Sequence, residues 1–354
     1  MKKFLLIFIG LGFLVFSPLQ VFAQIQTPPP EERHEAKVLR IVEEGQVEAQ
    51  VLEGSLKDKK VVTQKGGIIP TVGDKISITH IKNIDGSEQF YVADFIRLNS
   101  IYFLAIAFLI AVIVVGGIKG LSSFIGLIIS FIVLIKYIIP KIVAGADPVF
   151  VAVSGSLMIM IATLYLAHGL SRRTTAAVLG TFFSLIITAV LASVFVSLSK
   201  LSGMASEQAS FLSMFPGMQV NLKGILLGGI IIGALGVLDD ITISQSACVF
   251  ELKDANKSLG VKELWIRGLR IGREHIASLV NTLVLAYAGA SLPLLLLFTL
   301  NGGEPLNVLL NREMIATEIV RTLVGSIGLV AAVPITTAIA AFMSNYANYK
   351  KINI

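Results

Sequence analysis

The chain has 354 residues, of which 55% are hydrophobic and only 15% are charged. A soluble domain is closer to a quarter charged, so this composition excludes an ordinary soluble protein and predicts an α-helical polytopic membrane protein in the lipid bilayer. The net charge of +6 favours basic cytoplasmic loops over nucleic-acid binding, because no basic stripe is interleaved with aromatic residues. A single cysteine, Cys248, excludes an intrachain disulfide. No Cys/His cluster has metal-ligand spacing, so we predict no metal and no other cofactor.

Residues 1–23 have the pattern of a secretory signal peptide, with two lysines, an apolar core and a cleavage site after Ala23. An uncleaved N-terminal anchor helix is the alternative, and with either one the following segment is exported. Residues 24–35 include the stretch QTPPPEER, which predicts a Pro-rich extended linker.

Residues 36–99 differ in character from the rest of the chain. Short, partly alternating runs broken by Gly and Asp predict about five strands, enough for a small extracytoplasmic β-barrel of the OB type. His34 and His80 fall in or beside this segment, and we interpret them as surface or barrel residues rather than ligands.

From residue 100 to residue 354 the chain is mostly lipid-soluble and forms the predicted transmembrane domain. A helix needs about 20 apolar residues to cross a bilayer. Seven transmembrane helices are predicted, near residues 101–118, 121–139, 148–168, 174–198, 222–250, 276–300 and 320–343.

The distribution of basic residues predicts the orientation of these spans. If the small β domain lies outside, the predicted cytoplasmic segments hold Lys119, Arg172, Arg173, Lys253, Lys257, Lys262, Arg267, Arg270, Arg273, Lys350 and Lys351. The predicted outer loops hold only Lys141, Lys200, Lys223 and Arg312. This bias places the C-terminus in the cytoplasm and the protein in a bacterial cytoplasmic membrane.

Two adjacent carboxylates, Asp239 and Asp240, follow a glycine-rich apolar run. The 15 apolar residues from Gly224 to Leu238 cover roughly 22 Å, short of the roughly 30 Å bilayer core, so we expect the helix to continue to about Phe250. An earlier helix start near Leu212, with the acids at its end, is the alternative. Inside the membrane the two acids would not both ionise easily, so a proton could be bound on one side and released on the other.

Small and hydroxylated residues surround the two acids in the sequence. Thr242 and Ser244 follow them at helical spacing and extend a polar track. A stripe of glycines that would let another helix approach closely consists of Gly224, Gly228, Gly229, Gly233 and Gly236. Packing alone is the simpler explanation of these glycines.

The next predicted span carries further polar residues at helical spacing. They are His275, Ser278, Asn281 and Thr282. Asn281 in an apolar helix needs a partner, and Asp239 or Asp240 is the expected one. His275 is either an interfacial residue or a proton carrier, and the sequence leaves both interpretations open.

Several motifs in order resemble the YibE/YibF-like multipass membrane proteins. They are VADFIRL, GGIKGL, AHGLSRRTTAAVLGT, GALGVLDDITISQSACVFEL and GREHIASLVNTLVLAYAGASLPLLLLF. The resemblance covers nearly the whole chain after the signal peptide and implies a multipass topology rather than a defined chemistry.

A weaker, motif-level resemblance concerns GALGVLDDITISQ alone. It is similar to the acidic helix of the resistance-nodulation-division permeases and of the SecD/SecF translocation motor, where aspartates relay protons. By that resemblance Asp239 and Asp240 fall on relay positions. This chain has one acidic helix and no second half, so a complete pathway would need a homodimer or a related partner chain.

Two functions are compatible with these patterns. The first is a proton- or ion-coupled membrane transporter or exporter, with relay candidates Asp239, Asp240, Thr242, Ser244, Asn281, Thr282 and His275. The second is a non-transporting scaffold or assembly factor whose exported domain binds a partner. An enzyme is not expected, because phosphate-binding, HExxH and GxSxG motifs are missing and the two aspartates do not fit an intramembrane protease.

Overall fold

The computed structural model describes residues 32–43, 45–64, 67–82, 87–214, 221–300 and 305–352. The predicted signal peptide (residues 1–23) lies outside the described residues, as does most of the predicted linker. The described chain divides between Val115 and Gly116 into two compact units, which we call the barrel unit and the helical unit.

The barrel unit contains a closed five-stranded barrel, which confirms the predicted small β domain. Its strands are β1 Glu32–Glu43, β2 Gln46–Val51, β3 Lys60–Gln64, β4 Lys75–Lys82 and β5 Glu88–Phe95. Their order around the barrel is β1-β2-β3-β5-β4, which is consistent with an OB-like domain.

The barrel interior follows from alternation along the strands. In β2 the side chains of Val47, Ala49 and Val51 are buried, and those between them are only partly buried. They pack in one apolar cluster with Ile76 and Ile78 of β4. The first residues of β1 pair with β4, so the barrel begins at the start of the described chain, before the predicted domain boundary at residue 36.

The remaining described residues are mostly helical. The helices are α1 Leu98–Val143, α2 Pro148–His168, α3 Arg172–Leu198, α4 Glu207–Ser213, α5 Leu222–Ala255, α6 Val261–Ala290, α7 Leu292–Leu300, α8 Leu306–Asn311 and α9 Glu313–Ile352. A π-helical turn, Leu134–Ile138, lies inside α1.

Five described helices are long and apolar enough to cross a membrane, so the prediction of seven spans is not confirmed. They are α1, α2, α3, α5 and the segment Glu313–Asn345 of α9. The predicted spans 101–118 and 121–139 both fall within α1. The predicted span 276–300 is divided between α6, which ends at Ala290, and α7, which begins at Leu292. The first half of α6 is charged.

A break inside α1 marks the boundary between the two units. Gly117 has φ 57° and ψ −139°, a conformation that side-chain-bearing residues rarely adopt. The helix is therefore kinked close to the point where the sequence analysis separates its first two spans.

The centre of the helical unit consists of α3, α5 and α9, with α2 packed on α5 and α6 packed on α9. Apolar side chains such as Leu185, Leu238 and Leu329 form its core. Two glycines allow the close approach of α3 and α9. A Cβ atom added to Gly180 would overlap the hydroxyl of Thr336, and one added to Gly328 would overlap the hydroxyl of Thr188.

We expect the substitution Gly180→Ala to destabilise the helical unit. The new Cβ would lie 2.9 Å from the Cβ of Thr336, so α3 and α9 would have to separate, and overpacking of this kind costs about 1–3 kcal/mol. Thermal unfolding in detergent measures the effect. Gly289→Ala is the matched control, because a Cβ at that helical glycine meets no atom within 4 Å. Equal unfolding temperatures for the two variants would contradict the packing described here.

Candidate functional site

Asp239 and Asp240 lie near the middle of the 34-residue helix α5. The helix begins at Leu222, where the side chain of Asn221 accepts a hydrogen bond from the backbone N–H of Gly224 at 2.9 Å. It continues past both acids to Ala255. The preferred sequence interpretation is therefore confirmed, and the alternative in which the acids end an earlier helix is wrong.

The Asp239 side chain points between α2, α3 and α5. Its Oδ1 atom is buried and has no hydrogen-bond partner among the described residues. The hydroxyls of Thr163 on α2 and Thr181 on α3 lie beside the carboxyl group. Asp239 is therefore an inward-facing acid in a pocket of hydroxyl groups and apolar side chains.

The hydroxyls beside Asp239 also take part in hydrogen bonds with other groups. Thr163 donates to the carbonyl oxygen of Ile159 at 2.9 Å. The Thr242 hydroxyl lies 3.2 Å from the carbonyl oxygen of Asp239, to which it can donate, and 2.6 Å from the Thr181 hydroxyl, a hydrogen bond in which either group can be the donor.

Asp240 has a different environment from Asp239. Its side chain is exposed, because adjacent residues on an α-helix point about 100° apart. The two carboxylates therefore face different surroundings, one inside the helical unit and one at its surface.

A polar cavity of about 690 Å³ opens near the C-terminal half of α5. It is lined by Ser244, Ala247 and Asp254 of α5, and by basic residues of other segments, namely Lys119, His168, Arg172 and Arg173. Ser244 is five residues beyond Asp239, or about 7.5 Å along the helix axis. Ser244, one of the predicted relay residues, therefore lines a basic cavity on the helix that carries Asp239.

A second cavity, of about 550 Å³, lies toward the other end of α5. It is lined by Gly229 of α5, by Ser291, and by Thr317, Glu318 and Arg321 of α9. Arg321 and Glu318 form a 3.0 Å ion pair, as the sequence spacing suggests. Gly229 precedes Asp239 by ten residues, about 15 Å along the axis, so Asp239 lies between the levels of the two cavities.

The polar residues predicted on α6 are not brought to Asp239. His275, Asn281 and Thr282 are exposed, and the Thr282 hydroxyl donates to the Ser278 carbonyl oxygen of its own helix at 3.0 Å. Asn281 makes no hydrogen bond with either aspartate among the described residues. Its expected pairing with them stays a prediction.

The predicted glycine stripe is divided between two faces of α5. Gly224 and Gly228 face Pro148 and Ala152 of α2, as expected for close helix packing. The other three lie on the exposed face: a Cβ at Gly229 or Gly236 would meet no atom within 4 Å, and one at Gly233 would lie 3.2 Å from the Tyr287 hydroxyl. Asp240 lies on the same exposed face.

The sequence analysis missed most of the buried polar residues in the helical unit. Gln245 is fully buried, and its Nε2 donates to the Gly268 carbonyl oxygen at 2.8 Å and to the Thr337 hydroxyl at 2.7 Å. Thr242 was expected, and the other buried polar residues include Ser156, Thr181, Ser184, Thr188, Ser246 and Thr336. The helical spacing of Thr181, Ser184 and Thr188 on α3 is the signal that could have indicated them.

Comparison with known proteins confirms the resemblance to the YibE/YibF-like family. The profile of the YibE/F-like protein family matches residues 104–346, more than half of the chain. The chain belongs to the YibE/F-like family. No curated protein and no solved structure shows significant similarity to it. The resemblance of the acidic helix to the permeases and to SecD/SecF therefore remains an analogy at the level of one motif.

We expect Gln245→Leu to weaken the attachment of α6 to α5 and α9. The substitution removes both hydrogen bonds that the amide donates across the helices, and losses of this kind cost about 1–3 kcal/mol. Thermal unfolding in detergent is the measurement, and Ser244→Ala one residue earlier is the control. If Gln245→Leu unfolds at the same temperature as the control, the buried amide does not stabilise the helical unit.

Proposed function

We propose that this protein is a proton- or ion-coupled membrane transporter in which Asp239 is the group that binds and releases the coupling proton. Membership of the YibE/F-like family and five apolar helices make it a membrane protein. The transport role is our inference. The observation that carries it is a buried, unpartnered carboxyl oxygen at the middle of a candidate membrane-spanning helix.

The energetics favour a functional role for this acid. An ionised aspartate at the centre of a membrane helix costs at least about 2.5–3.5 kcal/mol on insertion scales. No Lys or Arg contacts Asp239 among the interactions of the described residues, so no ion pair offsets that cost. If this side chain only stabilised the fold, an asparagine would serve better, because its amide can form hydrogen bonds without carrying a charge.

Two cavities lie along α5, one at the level of residues after Asp239 and one at the level of residues before it. The basic cavity reaches Ser244, and the other cavity reaches Gly229 on the same helix. Leu235 and Leu238, close to Asp239 on α5, belong to the apolar core. A carboxyl between the levels of two cavities would exchange its proton with one side at a time if helix movements opened a connection to each cavity in turn.

The basic residues support an orientation for the helical unit. Lys119, His168, Arg172 and Arg173 gather around one cavity, at the end where α5 finishes. We propose that this end faces the bacterial cytoplasm, in agreement with the positive-inside rule. If the two halves of α1 on either side of Gly117 cross the membrane separately, as Lys119 at this cavity suggests, the residues before α1 would lie on the outer side.

The exposed faces of α5 and α6 support a second copy of the chain as a partner. Asp240, Gly233 and Gly236 on α5 and Asn281 on α6 are polar or small and lie at the surface of the unit. Hydrocarbon offers no hydrogen bonds to a carboxylate or an amide, whereas a neighbouring helix can approach a small-residue face closely. We propose that a homodimer covers this surface.

The transport proposal predicts a loss of proton movement in Asp239→Asn. The full chain is reconstituted in liposomes, a pH gradient is imposed, and the internal pH is followed with a fluorescent dye. The amide cannot exchange a proton, so flux should fall to the level of empty liposomes. Asp240→Asn is the matched control and should retain flux, because its side chain lies outside the pocket of Thr163 and Thr181. Undiminished flux in Asp239→Asn would instead favour the scaffold function.

The dimer proposal predicts a specific cross-link through α5. In a Cys248→Ala background, Gly236→Cys should form a disulfide-linked dimer on mild oxidation in membranes, because residue 236 lies on the exposed face. Leu235→Cys is the control: residue 235 is buried in the core and should give only monomer on a non-reducing gel. A Gly236→Cys chain that stays monomeric under these conditions would exclude close contact of two α5 helices at this position.

A further inference from the structure

Two histidines that are far apart in the sequence meet at one end of the barrel interior. His34 on β1 is 7% exposed and His80 on β4 is 11% exposed, and their ring centroids are 6.3 Å apart. Both continue the inward-facing rows that include Ala36 and Ile78. The interior of the barrel is therefore apolar along most of its length, and two imidazole rings lie together at this end.

Strand register adds a carboxylate to the pair. Glu32 lies two residues before His34, on the same face of β1, and pairs directly with His80 across the ladder. Its Oε2 is 3.7 Å from His34 Nε2 and 3.7 Å from His80 Nδ1. One ligand atom from each of these three residues lies within 4.8 Å of the other two.

The buried nitrogens of this cluster have no hydrogen-bond partner. His34 Nε2 and His80 Nε2 are both enclosed and unpaired among the described residues. An imidazole nitrogen buried without a partner costs free energy unless something else binds it. Gly54 makes room for the arrangement, because its φ is +86° and a Cβ there would lie 2.7 Å from His34 Nδ1.

We propose that Glu32, His34 and His80 bind a divalent transition-metal ion of the class that imidazole prefers, with Zn²⁺ as the representative. Zn–N and Zn–O bonds of about 2.1 Å place tetrahedral ligand atoms about 3.4 Å apart, so the two 3.7 Å separations need to shorten by only a few tenths of an ångström. Two imidazoles and one carboxylate form a recurrent zinc donor set. Because Glu32 is exposed, the ion would exchange with solvent and keep an open coordination position.

A second carboxylate, that of Glu88, lies on the opposite side of the His80 ring from Glu32. Glu88 Oε1 lies 3.8 Å from His80 Nε2, the nitrogen opposite the proposed metal-binding Nδ1. A hydrogen bond from Lys59 at 3.2 Å holds the pKa of the Glu88 carboxyl below its usual value, so this group is ionised at neutral pH. An ionised carboxylate in this place would accept the Nε2–H proton of His80 and orient Nδ1 toward the metal, as carboxylates behind metal-bound histidines commonly do.

This inference is independent of the transport proposal, because it concerns only residues of the barrel unit. The contrasting explanation is that both imidazoles are held by electrostatic attraction to Glu32 without any metal. The two explanations differ in metal stoichiometry, which can be measured on the full chain.

The test is Zn²⁺ binding by the full chain in detergent, purified with a tag that contains no histidine and stripped with a chelator. Competition with a chromophoric chelator gives the affinity, and elemental analysis after desalting gives the stoichiometry. We expect one Zn²⁺ per chain, undisturbed by Mg²⁺ or Ca²⁺, which prefer oxygen ligands. We expect Glu88→Gln to lower the affinity by about 10–100-fold and His34→Gln or His80→Gln to lower it further.

Two further variants distinguish a loss of metal binding from a loss of folding. Glu32→Gln changes an exposed side chain, so it should lower the affinity for Zn²⁺ without disturbing the barrel. His275→Gln changes a histidine of α6 and should leave the affinity at the wild-type value. Less than one bound Zn²⁺ per chain, or equal affinities for wild type, Glu32→Gln and His80→Gln, would overturn the proposal.

Discussion

A carboxyl group held away from charged partners in an apolar helix bundle is the constraint on which the interpretation of this structure depends. Asp239 lies at the middle of α5, and the helices around it supply hydroxyl groups but no cation among the described residues. Because a carboxylate in hydrocarbon is costly, the surroundings must either keep it protonated or connect it to water. Hydroxyl groups lie beside this carboxyl, and cavities open at other levels of the same helix, so we propose proton exchange as its role.

Close helix packing makes this arrangement possible. Gly180 and Gly328 bring α3 and α9 together through contacts with Thr336 and Thr188, and Gly224 and Gly228 bring α5 against α2. Hydroxyls that bond to backbone carbonyls of their own helix, such as those of Ser184 and Thr188, can be buried at little cost. The centre of the unit can therefore contain polar groups without containing water.

The barrel unit shows the same principle at a smaller scale. Its core is apolar around Val47 and Ile76. At one end the inward-facing positions are histidines, and the buried Nε2 atom of each has no hydrogen-bond partner among the described residues. Both units thus contain residues with buried polar atoms that the described residues do not satisfy, and we place proton exchange and metal binding at these residues.

Composition and periodicity were sufficient to predict the membrane class, the five-stranded domain and the long helix through Asp239, because these depend on local hydrophobicity and strand alternation. They could not predict that Asp239 and Asp240 face different environments, or that His34 and His80 meet across two strands. Their count of seven spans is not confirmed, since five described helices are long and apolar enough to cross a membrane, the break at Gly117 divides α1, and the span after residue 276 is divided at Ala290. The sequence determined which segments are apolar and which carry acids or histidines. Only the tertiary structure decided which of those groups meet and which are left exposed, because that depends on how helices and strands from distant parts of the chain pack together.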